Sequence, residues 1–162
     1  YTTLFRSLQF HRQHPEECQR FILWQPVVSG RSYLKQLLRQ RVAASLARAE
    51  GKESTAEIQG RLNAGETVEI GGYPLANPMA QELATLSLAE AADAPARPLL
   101  WLEHQPHADT PWPPASRRAI ASLEEKGYSV AVEGFGGPPI WQLHERDTFD
   151  TLLLATQEAW QP

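Results

Sequence analysis

The sequence predicts an α/β domain built on a small, mostly parallel sheet flanked by helices. Short apolar runs at residues 21–27, 99–103 and 128–133 are separated by segments with the apolar period of amphipathic helices. The first two runs are continuous rather than alternating, the pattern of strands covered on both faces. Strand, long helical excursion, strand, helix, strand, helix is the order that parallel strands joined by right-handed crossovers generate.

Residues 8–14 read as the end of a helix, with Pro15 and Glu16 opening a further turn. His11 and His14 stand three apart without a third ligand nearby, so they are expected at the surface rather than in a zinc site. The next stretch, Phe-Ile-Leu-Trp-Gln-Pro-Val-Val-Ser-Gly at 21–30, is expected to be the central strand. Gln25, Pro26, Ser29 and Gly30 then lie at its carboxyl end, where an open α/β sheet places its ligands.

Ser32 can cap the following helix, whose apolar face is Leu34, Leu37, Leu38, Val42, Leu46 and Ala49, with Gly51 as its end. Ser54 and Glu57 stand in capping-box register ahead of Ile58 and Leu62, and Gly65 terminates that helix. Two helices with so short a polar break form an arm or lid more readily than a sheet crossover. Residues 67–70 alternate weakly as a short peripheral strand, and Gly71 and Gly72 make a tight turn without the spacing of a phosphate loop. Asn77 and Pro78 are cap and first-turn proline of a helix with Met79, Leu83, Leu86 and Leu88 on its buried stripe. Residues 89–98 read as a loop inside one domain.

The second strand, 99–103, is followed by a loop at 105–114 holding His107, Asp109 and Trp112. A helix over 115–126 turns Ile120 and Leu123 inward and ends at Gly127. The third strand, 128–133, alternates through Tyr128, Val130 and Val132, and a glycine-bearing loop follows at 134–139. The last helix starts near Asp147 or Thr148 and presents Phe149, Leu152, Leu153, Thr156 and Trp160.

At 162 residues the chain is expected to form a single domain, 1–162, that buries roughly two thirds of its unfolded surface. Residues 1–20 are expected to be an N-terminal remnant or a segment foreign to the natural gene. The opening Tyr-Thr-Thr-Leu-Phe-Arg-Ser looks like read-through at the end of a metagenomic fragment, which would put the natural start upstream. Hydrophobic and charged contents of 42% and 21% exclude wholesale disorder. A net charge of -4 gives no basis for nucleic-acid binding, and Arg31, Lys35, Arg39, Arg41 and Arg48 read as a solvated helix face.

Cys18 is the only cysteine, which rules out an internal disulfide framework, and its neighbours Glu16 and Glu17 argue against a nucleophilic role. With no long apolar run and no signal-peptide pattern, a cytoplasmic protein without a membrane span is expected. No metal or cofactor motif stands out, and a nucleotide-binding domain is disfavoured because no phosphate-cradling glycine loop follows a strand.

Residues 21–44, 62–75 and 99–160 together resemble the carboxyl-terminal half of an α/β-hydrolase. The distinctive stretches are Leu-Trp-Gln-Pro-Val-Val-Ser-Gly-Arg at 23–31, Gly-Glu-Thr-Val-Glu-Ile-Gly-Gly-Tyr at 65–73 and Gly-Pro-Pro-Ile-Trp-Gln at 137–142. They are most similar to the hydrolase-like proteins associated with the exosortase A system of exopolysaccharide-producing bacteria. The resemblance implies a partial α/β-hydrolase fold, with 21–27, 99–103 and 128–133 as its sixth, seventh and eighth strands and 31–88 as a helical cap. It also implies Asp109 as the catalytic acid and His144 as the base, since such enzymes use Ser, acid and His in chain order.

No Gly-x-Ser-x-Gly elbow occurs, and Ser29 or Ser32 is the local hydroxyl near the crevice. By their position alone Ser29 reads as a turn residue and Ser32 as a helix cap. Trp24, Trp101, Trp112 and Trp141 either line an apolar pocket or fill the core. The function expected is hydrolysis of a small carboxylic ester. The alternative is a non-catalytic, truncated hydrolase-fold protein with a structural or assembly role in exopolysaccharide production. In either case a homodimer through the sheet edge or the helical arm is expected.

Overall fold

The computed structural model describes residues 3–48, 53–93, 95–138, 140 and 149–159. In chain order the elements are α1 (Thr3–Gln13), β1 (Phe21–Trp24), α2 (Gly30–Ala47), α3 (Thr55–Asn63), β2 (Val68–Ile70), β3 (Tyr73–Leu75), α4 (Asn77–Thr85), α5 (Leu88–Ala91), β4 (Leu99–His104), α6 (Pro114–Glu125), β5 (Val130–Phe135) and α7 (Asp150–Ala159). The chain divides into two compact units, one formed by Tyr1–Val28 with Leu88–Pro162 and the other by Ser29–Ser87.

The first unit is the α/β layer. Its sheet is parallel and three-stranded in the order β1-β4-β5, with Phe21 opposite Leu99 and Leu99 opposite Val130. Successive side chains alternate between faces. On one face Leu100, Leu102 and Phe135 are buried with Leu152 of α7, and Ile22, Ile140, Phe149 and Ala155 pack around them. The other face holds Phe21, Leu23, Leu99 and Trp101, all buried, and α6 packs against β5 through a helix whose buried positions are Ser116, Ala119 and Leu123. Tyr128, expected inside the third strand, instead precedes it; it is buried with its hydroxyl donating to the Ala92 carbonyl at 3.3 Å. Burial raises its pKa.

The centre of the sheet is β4, not the 21–27 run expected there. β4 is buried at five successive positions, whereas Trp24 at the end of β1 is 39% exposed. An apolar run records that both faces of a strand are covered. Ile22 on one face and Phe21 and Leu23 on the other satisfy that condition at a lateral edge too. His11 also departs from expectation. It is fully buried, its ring lies edge-on to Phe21 at 5.1 Å, and its Nε2 donates to the Pro95 carbonyl at 2.8 Å. Its place on the inner face of α1, beside buried Leu8, overrides the surface preference of an isolated histidine.

The second unit is built from α2, α3, the β2-β3 hairpin and α4 around Leu34, Leu38, Ile58, Leu62, Val68, Ile70, Leu75 and Ala80. Ser54 and Glu57 form the capping box that their spacing predicts, and Gly65, at φ 89, closes α3. Gly71 and Gly72 have φ of 57 and 84, the paired positive angles of a tight hairpin turn between Ile70 and Tyr73.

Four local readings are corrected within this unit. Ser29 caps α2, its Oγ accepting from the Ser32 N–H at 3.3 Å, so Ser32 sits in the first turn. Met79 is 58% exposed and Ala80 takes the buried place, because α4 packs on α2 through Ala80, Leu83 and Ala84. Leu46 is 55% exposed while Ser45 is buried, which places the end of the α2 stripe one position earlier. Asn77 is the first residue of α4, after the N-cap Ala76, and makes no side-chain cap.

Candidate functional site at the carboxyl ends of the strands

The polar side chains of the first unit converge where β1, β4 and β5 end. Gln25 follows β1 directly and has φ 41, the one described non-glycine residue with positive φ. A glutamine gains nothing locally from that conformation, so the surroundings must hold it. Its N–H donates to the Leu102 carbonyl at 2.7 Å, and its Oε1 accepts from the Ile140 N–H at 3.1 Å. His104, the last residue of β4, donates from Nε2 to the Gly137 carbonyl at 2.6 Å, its ring 5.6 Å from that of Phe135. Thr151 in the first turn of α7 donates to the Gly136 carbonyl at 2.6 Å.

A second set of contacts ties the loop after β4. The Gln105 N–H donates to the Phe135 carbonyl at 2.8 Å, and Gln105 Nε2 donates to the Thr110 carbonyl at 2.7 Å. Gly134 makes room for this side chain: a Cβ there would sit 2.1 Å from Gln105 Oε1 and 3.3 Å from Trp112 Cη2. Asp109 lies in this loop, within the turn closed by Thr110 N–H to His107 carbonyl at 2.9 Å, and is exposed. Beneath the rim, Glu103 is 5% exposed and its Oε2 accepts from Trp101 Nε1 at 3.0 Å on the opposite face of β4 from His104.

The residues expected to carry chemistry are distributed as follows. Asp109 belongs to the first unit and follows the central strand. Ser29 belongs to the second unit, as the α2 cap, with its backbone bridged to Ser87. His144 and Trp141 lie outside the described residues. Trp101 is a core residue with a buried partner, Trp24 Nε1 donates to Thr156 Oγ1 at 3.1 Å, and Trp112 is half-buried beside Gly134. The residues that tie the rim, His104, Gln105 and Gly134, carry no motif. Only the glycine inside a strand pattern signals a close approach.

In the second unit an open depression of about 560 Å³ is lined by Glu53, Glu57, Gly60, Arg61, Ala64 and Glu66. Glu53 bridges Arg41 at 2.7 Å and Arg61 at 2.7 Å, and Arg61 reaches Glu66 at 2.8 Å, so the lining charges are largely paired with one another. The Arg41 hydrogen bond, with Arg61 beside it, holds the Glu53 carboxyl below its usual range.

Among the described residues no group of three or more His, Cys, Asp and Glu side chains is placed to hold a metal ion. No helix among them is long and apolar enough to cross a membrane. No protein-family model matches the chain, and no curated protein matches it.

Proposed function

We propose that this chain is a hydrolase-type α/β protein acting on small carboxylic esters, with Asp109 as the acid, His144 as the base and Ser29 as the hydroxyl they serve. The observation that supports it is the placement of Asp109 in a tied loop leaving the carboxyl end of the central strand, while the chain toward His144 leaves the neighbouring strand β5. In hydrolases of this kind the acid and base occupy those successive loops, and the resemblance to exosortase A system-associated hydrolases points the same way. In this reading residues 31–88 are the helical cap that the resemblance implies. The imidazole takes the Ser29 hydroxyl proton as its oxygen bonds to the ester carbonyl carbon and gives it to the alkoxide as the ester C–O bond breaks. Water, deprotonated by the same imidazole, then releases the acyl group as the acid and restores the hydroxyl, while the aspartate stabilises the imidazolium.

Turnover of short-chain aryl esters by wild type, His144→Ala, Asp109→Asn and Ser29→Ala tests the assignment. The expected loss on removing the base is at least about 100-fold in kcat. Undiminished turnover in both His144→Ala and Asp109→Asn defeats it.

A second reading is favoured by one contact: the Ser29 hydroxyl is engaged as the α2 cap. A chain whose hydroxyl serves a helix end fits a non-catalytic hydrolase-fold protein that assembles with a second copy, in a structural role in exopolysaccharide production. Absence of turnover together with a two-chain mass in solution is the result this reading expects.

A further inference from the structure

The loop that leaves β5 is held from elements far apart in sequence: by Gln25 after β1, by His104 at the end of β4, and by Thr151 in α7. The strained member is Gln25. Its backbone sits in the left-handed region although it is not a glycine, and its bonds to the Leu102 carbonyl at 2.7 Å and the Ile140 N–H at 3.1 Å lead into the sheet and the loop. Released from them, a glutamine returns to the ordinary extended or helical regions. From that backbone conformation the side-chain Oε1 meets the Ile140 N–H.

We propose that Gln25 is a positioning residue for the ester hydrolysis: its side-chain carbonyl holds the Ile140 amide, and with it the point from which the chain continues beyond β5. The role rests on the reading that the base follows that strand. Gln25 touches no reacting atom in this scheme. Its contribution is to restrict the conformations of the loop before substrate arrives, a gain expected in kcat rather than in substrate affinity.

Two variants separate the side-chain bond from the backbone. Gln25→Glu keeps a carboxylate oxygen at the same reach to accept from Ile140, whereas Gln25→Ala removes the acceptor and keeps the backbone strain. Hydrogen exchange at the Ile140 amide reads the clamp directly, without any need for activity. Exchange roughly tenfold faster in Gln25→Ala and near wild type in Gln25→Glu is expected. Equal protection of Ile140 in wild type and Gln25→Ala overturns the clamp.

Steady-state kinetics on aryl esters then read the consequence. A kcat lowered by about tenfold in Gln25→Ala with KM little changed, and restored in Gln25→Glu, is the expected split. Unchanged kcat in a variant whose Ile140 amide has loosened overturns the positioning role while leaving the clamp. A wild-type protein without turnover removes the function and the positioning role together, and the exchange result alone then decides whether the clamp exists.

Discussion

At Gly30 an added methyl group would sit 1.8 Å from the Leu83 carbonyl oxygen and 3.2 Å from Leu86 Cβ. The first residue of α2 is therefore glycine because the end of α4 comes against it, with the Gly30 N–H donating to the Leu86 carbonyl at 2.9 Å. Gly60, within α3, has open space where its Cβ would be and no left-handed backbone to preserve. The two should respond in opposite directions to the same change. Gly30→Ala is expected to destabilise by about 2–4 kcal/mol through backbone displacement. Gly60→Ala is expected to stabilise by about 0.5–1 kcal/mol through helix propensity. Thermal melts of both variants measure this, and a neutral Gly30→Ala would mean that α4 does not abut α2 as described.

Glu53 gives a pH-dependent counterpart. Its folded pKa lies below its unfolded one, chiefly through Arg41, so its stabilisation is complete above the unfolded value and is lost as pH falls through the folded one. Wild type should exceed Glu53→Gln by about 1 kcal/mol or less at pH 7, the modest size following from the partial exposure of Arg61. The gap should begin to shrink as pH falls into the ordinary carboxylate range and close only below it, as pH passes the depressed folded value. Urea midpoints at neutral and acid pH report it; a gap of constant size would exclude the ion pair as its source.

At the scale of the element, β4 carries the most demanding polar contact of the core. Trp101 Nε1 and Glu103 Oε2 meet at 3.0 Å between residues that are 0% and 5% exposed. Glu103→Gln leaves an acceptor within reach and should change stability little. Glu103→Leu strands the indole N–H in the interior and should cost about 1–3 kcal/mol. Chemical denaturation of the pair checks the contrast, and equal losses would show that volume rather than the hydrogen bond is at stake.

The elements themselves were legible where short-range chemistry decides them. The Ser54/Glu57 box, the Gly71-Gly72 turn, the glycine end of α3 and the parallel alternation are written in neighbours a few residues apart. Lateral strand order was not, since the 21–27 run encodes covered faces and says nothing of which strands lie alongside. The Met79/Ala80 exchange was hidden for a related reason: a close helix contact selects the small side chain over the more apolar one. For the candidate site, the carboxyl ends of the strands were legible from sheet topology alone. The ties made by Gln25, His104 and Gln105 were not, because each reaches a distant backbone group and leaves no spacing in the sequence.

At the scale of the molecule, the sheet of the first unit ends laterally in two different ways. β5 places Glu133 and Gly134 near its end, a charge and a break of the kind that discourages pairing, whereas Phe21–Trp24 contains neither charge nor proline. The N–H groups of Phe21 and Gln25 are directed at β4, so by alternation those of Ile22 and Trp24 are directed to the outer side. Among the described residues no strand pairs with that side. Trp24, Leu153 and Leu154, at 39%, 47% and 56% exposure, place apolar surface on β1 and on α7, which Trp24 contacts through Thr156. A second copy meeting this edge about a two-fold axis would join two β1 strands antiparallel and bring the same side chains together, as an isologous interface requires. The expected species in solution is therefore a dimer whose dissociation depends on concentration. Trp24→Lys, which puts a charge on the pairing edge, should move it toward single chains without loss of helical content. Light scattering across a dilution series measures the mass and circular dichroism the helical content, and a single-chain mass for wild type at every concentration would leave the β1 edge without this partner.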